Sequence, residues 1–223
     1  MNGKNTWVMI IKARLTARGF NDVQAFDENI KTYSGTASKW SQRAVNALAS
    51  QMQYTLFSMD ISAAFLKGMT YSEIARVTGE PLRSVQFDFP AKDAWLLRQL
   101  PGMEDYDNNL EILDMVKAMW GLKDAPRAFG MRLNVTLKGC GYVQGIMDPQ
   151  VWRKFKTNGP IVIHEAVLGE HLLSMLTTHI DDIKGAATEN ECDILLTALK
   201  KDYGNDAKIE NVLRAHRDSA CPE

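Results

Sequence analysis

The chain has 223 residues, 45% hydrophobic and 24% charged, with 26 Lys and Arg against 27 Asp and Glu for a formal charge of −1. This composition excludes disordered, collagen-like and coiled-coil classes, and the balanced charge excludes the overall basic footprint of many nucleic-acid binders. Cys140, Cys192 and Cys221 form no C-x-x-C pair, and the early apolar stretch Trp7–Ile11 is too short for a signal-peptide core or a membrane span. The expectation is therefore an intracellular, non-secreted protein with one large domain or two subdomains sharing a core.

Residues 1–45 carry seven basic side chains (Lys4, Lys12, Arg14, Arg18, Lys31, Lys39, Arg43) against three acids. Such an excess can attract phosphate, although it is more often a solvated face. Ser38 is placed to cap a helix in which Trp40, Ala44, Val45, Leu48 and Met52 recur at helical spacing. Tyr54–Met59 is aromatic and β-compatible and reads as a strand with Asp60 at its end. Thr70 and Glu73 have the capping-box spacing, and Gly79 and Pro81 stop the helix they start. Asp124 and Pro126 predict another helix start, with the carboxylate as cap, and Gly139 its left-handed stop. Leu172–Ile180 is apolar and β-rich, Asp181 and Asp182 interrupt it, and Ile183–Gly185 resumes, which predicts a hairpin with two acids at its tip.

Adjacent carboxylates beside apolar strands repel each other and need a counterion. An aspartate-rich turn is the simpler reading of Asp181 and Asp182, because aspartate favours turns through its own local hydrogen bonds. Asp60 weighs against it. It stands 121 residues earlier at another predicted strand end, so adjoining strands could gather three carboxylates around hard cations.

Four blocks in one order carry a resemblance. Lys12-Ala-Arg-Leu-Thr-Ala-Arg-Gly-Phe20, Asp60-Ile-Ser-Ala-Ala-Phe-Leu66, Trp120-Gly-Leu-Lys-Asp-Ala-Pro-Arg127 and His179-Ile-Asp-Asp182 resemble the reverse transcriptase of copia-type long-terminal-repeat retrotransposons, and Asp148-Pro149 with Val151-Trp152 resembles a short block between the last two. The resemblance runs from about residue 12 to about residue 200. It implies an α+β right-hand polymerase palm with partial fingers, an antiparallel sheet packed on helices. Residues 1–45 would be partial fingers, 46–201 the palm with a helical insertion near 70–86, and 202–223 a truncated or degenerate thumb start. The implied activity is RNA-directed DNA polymerisation, which adds deoxynucleotides from deoxynucleoside triphosphates to a primer 3′-end on an RNA or DNA template.

The resemblance further implies Asp60, Asp181 and Asp182 as the polymerase carboxylates and as ligands of two magnesium ions, with manganese as a substitute. Two such ions, about 3.5–4 Å apart, would activate the primer hydroxyl and stabilise the leaving pyrophosphate. Magnesium takes oxygen ligands, which aspartates supply. Lys12 and Arg14 would hold the triphosphate, Phe65 would face the sugar 2′ position, and Gly121 and Lys123 would belong to a loop lining the nucleotide and template. For Lys12 and Arg14 the plain alternative is surface solubility, and for Phe65 core packing. The sequence departs from the family pattern at His179 and Trp120, both usually tyrosine, and at Asp124, usually glutamine.

Two alternatives belong to other classes. One is a catalytically silent remnant of such a domain. The other is a helix-turn-helix DNA-binding protein built on residues 71–85, with Gly79 in the turn and Arg76 and Arg83 as its basic residues. His164-Glu165 and Glu170-His171 do not make the H-E-x-x-H zinc pattern.

Overall fold

The computed structural model describes residues 15–26, 30–156, 172–205 and 207–213. Its frame is a six-stranded antiparallel sheet in the order β4-β5-β6-β7-β1-β8. The strands are β1 (Thr55–Ile61), β4 (Val143–Gln144), β5 (Val151–Phe155), β6 (Leu172–His179), β7 (Asp182–Ala187) and β8 (Ala207–Leu213). A separate two-stranded ribbon pairs β2 (Gln86–Phe87) with β3 (Leu113–Asp114). The helices are α1 (Lys39–Met52), α2 (Tyr71–Thr78), the single turn α3 (Ala94–Leu97), α4 (Ala125–Gly139) and α5 (Glu189–Tyr203).

Strand β1 alternates buried and part-exposed residues along its whole length, as a strand with one core face must. Phe57, Met59 and Ile61 point into the main core, where Ile183, Ala187 and Leu176 of the neighbouring strands meet Phe129, Leu133 and Leu137 of α4 and Leu195 and Leu199 of α5. Burying a Leu, Ile or Phe side chain contributes about 1.5–3 kcal/mol each, so this layer between sheet and helices dominates the stability. The opposite face of the sheet is covered by α1, through Val45 and Ala49 packed on Ala186, Leu56 and Met175. Gly185 is required here: a Cβ on it would lie 2.6 Å from the Phe57 ring and 2.8 Å from the Leu176 Cβ.

Local signals account for several elements. Ser38 caps α1 by accepting from the Ser41 amide, and Thr70 with Glu73 forms the complete capping box of α2. Gly79 closes α2 in the left-handed conformation with φ 72°. Other expectations are corrected. Trp40 lies on the solvent side of α1 at 75% exposure, because the buried stripe is set by Val45 and Ala49 alone. Asp124 makes no capping bond to α4, because its carboxylate is drawn into an ion pair. Helix α4 runs through Gly139, and the left-handed residue beyond it is Gly141, with φ 83°.

The division expected at residue 45 falls inside α1, whose Val45 and Ala49 pack against the sheet. The segment expected to begin a thumb at 202 instead contains the last turn of α5 and β8, which hydrogen-bonds along β1 as an integral strand. Residues 70–86 contain one helix, not two. After Gly79 the chain runs without helix to β2, so no recognition helix exists and the DNA-binding alternative on 71–85 loses its structural basis.

Candidate functional site

The sheet register brings the predicted acids to one end of two adjoining strands. Strands β1 and β7 pair antiparallel down to Met59 opposite Ile183, and Asp60 and Asp182 are the next residues beyond that last pair, with Asp60 opposite Lys208 of β8 and Asp182 opposite His179 of β6. Ile183, Met59 and Ile61 all sit in the main core, so the intervening Asp60 and Asp182 project from the other face. Apolar packing beneath α1 reaches only Leu56, Met175 and Ala186, and the acidic end of that face stays part-exposed.

Asp181 occupies the turn of the β6–β7 hairpin, while Asp182 is the first residue of β7, opposite His179. The expected two-acid tip thus carries one acid in the turn and one in the strand. A two-residue hairpin loop needs a left-handed residue to follow the twist of its strands. Here Ile180 supplies it at φ 56°, an uncommon conformation for a β-branched side chain.

The hairpin is braced from outside the sheet. The Gln150 carbonyl accepts from the Thr178 amide at 2.9 Å, and the Gln150 Oε1 accepts from the Thr178 hydroxyl at 2.6 Å. Thr36 bridges to His179, and the Ala37 amide donates to the Thr178 carbonyl. Asp148 joins this brace to α1: its carboxylate accepts from the Ser38 amide at 2.9 Å, the Ser41 hydroxyl at 2.5 Å and the Gln150 amide at 3.0 Å. Partial burial works against that charge, but the Ser41, Ser38 and Gln150 donors outweigh it and hold the carboxyl below its usual range. Sequence reasoning placed Asp148 only within a block and did not find its partners, which lie 110 and 107 residues away.

Phe65 packs between the two largest core clusters, with its ring edge-on to Trp120 at 6.4 Å and only partly buried. Gly121 has φ 95°, and the close approach it permits is to this chain's own backbone: a Cβ there would lie 2.0 Å from the Ala17 carbonyl oxygen. Gly19 reciprocates, since its Cβ would meet the Gly121 oxygen at 1.9 Å, and the Ala17 amide donates to the Trp120 carbonyl at 2.7 Å. The first and third sequence blocks are thereby locked backbone to backbone, a use of Gly121 different from the ligand-lining one expected. Lys123 is exposed beside it. Lys12 and Arg14 lie outside the described residues, as do His164, Glu165, Glu170 and His171.

Among the described residues, no three of His, Cys, Asp and Glu converge closely enough to hold a metal ion. Three aspartates at an accessible strand end nonetheless have the oxygen-donor chemistry of a magnesium site. Two cavities lie away from them: one of about 110 Å³ between α2, α4 and the segment after Gly79, and a larger groove between residues 15–24 and 84–90.

Three retrovirus-related Pol polyproteins are similar to this chain. Those of transposons RE2 and RE1 from Arabidopsis thaliana are 28% and 27% identical over 141 residues, which is 63% of this chain and 8% of each polyprotein. That of transposon TNT 1-94 from Nicotiana tabacum is 25% identical over 153 residues, 68% of this chain and 10% of the polyprotein. The homologues are Pol polyproteins of copia-type retrotransposons. The matched part is thus a tenth or less of each polyprotein. No family model matches the chain. No solved structure matches it either. No helix among the described residues is long and apolar enough to cross a membrane.

Proposed function

We propose that this chain is the palm and partial fingers of an RNA-directed DNA polymerase of a copia-type retrotransposon. The observation that carries the reading is the placement of Asp60 and Asp182, 122 residues apart in sequence, just beyond the last pair of two adjoining strands on one part-exposed sheet face, with Asp181 in the adjoining turn. The similarity to Pol polyproteins of plant transposons supports it.

Asp60, Asp181 and Asp182 would hold magnesium, which when bound polarises phosphoryl oxygens and activates the primer hydroxyl. The chain's own residues do the positioning. The Asp148 and Gln150 brace fixes the hairpin that carries two of the acids, and the locked backbones at Gly19 and Gly121 fix the Trp120–Lys123 loop. The partners are a primed RNA or DNA template and deoxynucleoside triphosphates, held mainly through backbone phosphates and so weakened by salt. A second reading, a palm that binds duplex without synthesis, is favoured by one observation: the carboxylates do not converge into a ready ligand set.

Incorporation of deoxynucleotides on a primed RNA template with magnesium decides between them. The parent is expected to extend the primer, and Asp181→Asn with Asp182→Asn to lose about 10³-fold or more. Extension by neither, from protein shown to be folded, overturns the polymerase reading.

A further inference from the structure

The segment after α2 is clipped to the first turn of α4 by two ion pairs of opposite polarity. Glu80 takes both guanidinium nitrogens of Arg127, at 2.8 and 2.9 Å, and Arg83 meets Asp124 at 2.9 Å. Each side presents an acid followed three residues later by a base, and the two segments meet head to tail, so the charges fit in a single register. Arg83 also pairs with Asp22, and both its side chain and its two partners are 7% exposed. The Arg127 guanidinium holds the Glu80 carboxyl below its usual range, and burial pushes the Asp124 carboxyl above its own.

These contacts tie together three stretches that also meet through the backbone lock at Gly19 and Gly121 and through apolar packing of Ala17, Val85, Leu122 and Ala125. Asp22 follows the first sequence block, Glu80 and Arg83 come from the connection after α2, and Asp124 and Arg127 directly follow the Trp120–Lys123 loop. Asp124 stands where the resembled pattern has glutamine, and Arg83 supplies the positive charge that this carboxylate needs in a buried place.

We propose that Glu80 and Arg83 are positioning residues, whose crossed ion pairs hold the start of α4 and thereby the Trp120–Lys123 loop in the geometry that receives the nucleotide. This rests on the polymerase reading above for the identity of the substrate, while the mechanical part stands independently. The loop is short and its helix begins without a side-chain cap, so the ion pairs replace capping as the constraint at that end.

The test uses Glu80→Gln, Arg127→Gln and their double variant, which remove charge at part-buried positions and keep the side-chain volume. Arg83 is left intact, because its loss would strand two buried carboxylates and lower the stability of the whole chain. Each single variant is expected to speed hydrogen exchange of the amides at 120–124 about tenfold and to raise the nucleotide KM about tenfold with kcat within about threefold. The double variant should be no worse than either single one, because both act through the same pair. Unchanged exchange at 120–124, a fall in kcat with KM unchanged, or a double variant whose effects multiply would each overturn the proposal. If the parent extends no primer, the polymerase reading fails separately, and exchange in the three variants still decides whether the crossed pairs hold the loop.

Discussion

Ile180 shows most directly how one residue carries the demands of the site. Its φ of 56° costs a β-branched side chain about 1–2 kcal/mol, yet the tight turn between His179 and Asp182 requires a left-handed residue at that point. Ile180→Gly is expected to stabilise the chain by about 0.5–1 kcal/mol, the relieved strain exceeding the lost packing of a part-exposed side chain. A rise in the urea midpoint would show it, and a fall would mean that Ile180 packing outweighs its backbone strain. The hairpin itself was legible in the sequence, because an apolar run broken by two acids has a local signature. The exact placement of the acids was not, since moving the turn by one residue changes which of them lies in the ladder.

At the scale of elements, α1 is fastened at both ends by different forces. Val45 and Ala49 pack its second half on the sheet, while its first turn is held by hydrogen bonds to Asp148. Asp148→Ala should cost about 1–2 kcal/mol at neutral pH, because it removes charge-assisted hydrogen bonds from Ser38 and Ser41. The sign of the pH dependence follows from the direction of the shift. The Asp148 carboxyl is lower in the folded chain than its usual 3.8, so its contribution is fully present above that value and is lost as pH falls below it. Chemical denaturation of parent and variant should therefore differ at pH 7 and converge as the pH falls below 3.8. Equal stability at pH 7 would remove Asp148 as the fastening of α1.

At the scale of the whole molecule, Arg83 between Asp22 and Asp124 joins distant segments through three buried charges. Burying three charges is tolerable only while they remain together. Arg83→Leu is expected to destabilise by about 3–5 kcal/mol, because two carboxylates lose their counterion out of contact with water. Neutralising both, with Asp22→Asn and Asp124→Asn added, should recover most of that loss in thermal melts. A triple variant no more stable than Arg83→Leu would place the cost in lost packing instead, including the Arg83 stacking on the Tyr71 ring at 5.5 Å.

The sequence by itself determined the pieces that depend on neighbours within a few residues: the Ser38 cap, the Thr70–Glu73 capping box, the Gly79 stop, the strand β1 and the hairpin around Asp181. These signals are short-range because hydrogen bonds to free helix ends and side-chain alternation are set by local spacing. Only the tertiary structure decided that β8 joins the sheet beside β1, that Asp124 pairs with Arg83 instead of capping α4, and that Gly121 yields its side-chain space to Ala17. In each case the partner lies far away in sequence, and competition among partners is settled by which strands and loops come to lie side by side. The meeting of Asp60 with Asp182 belongs to both. Each acid could be picked out by its strand-end position, but only the β1–β7 register brought them to the same end of adjoining strands.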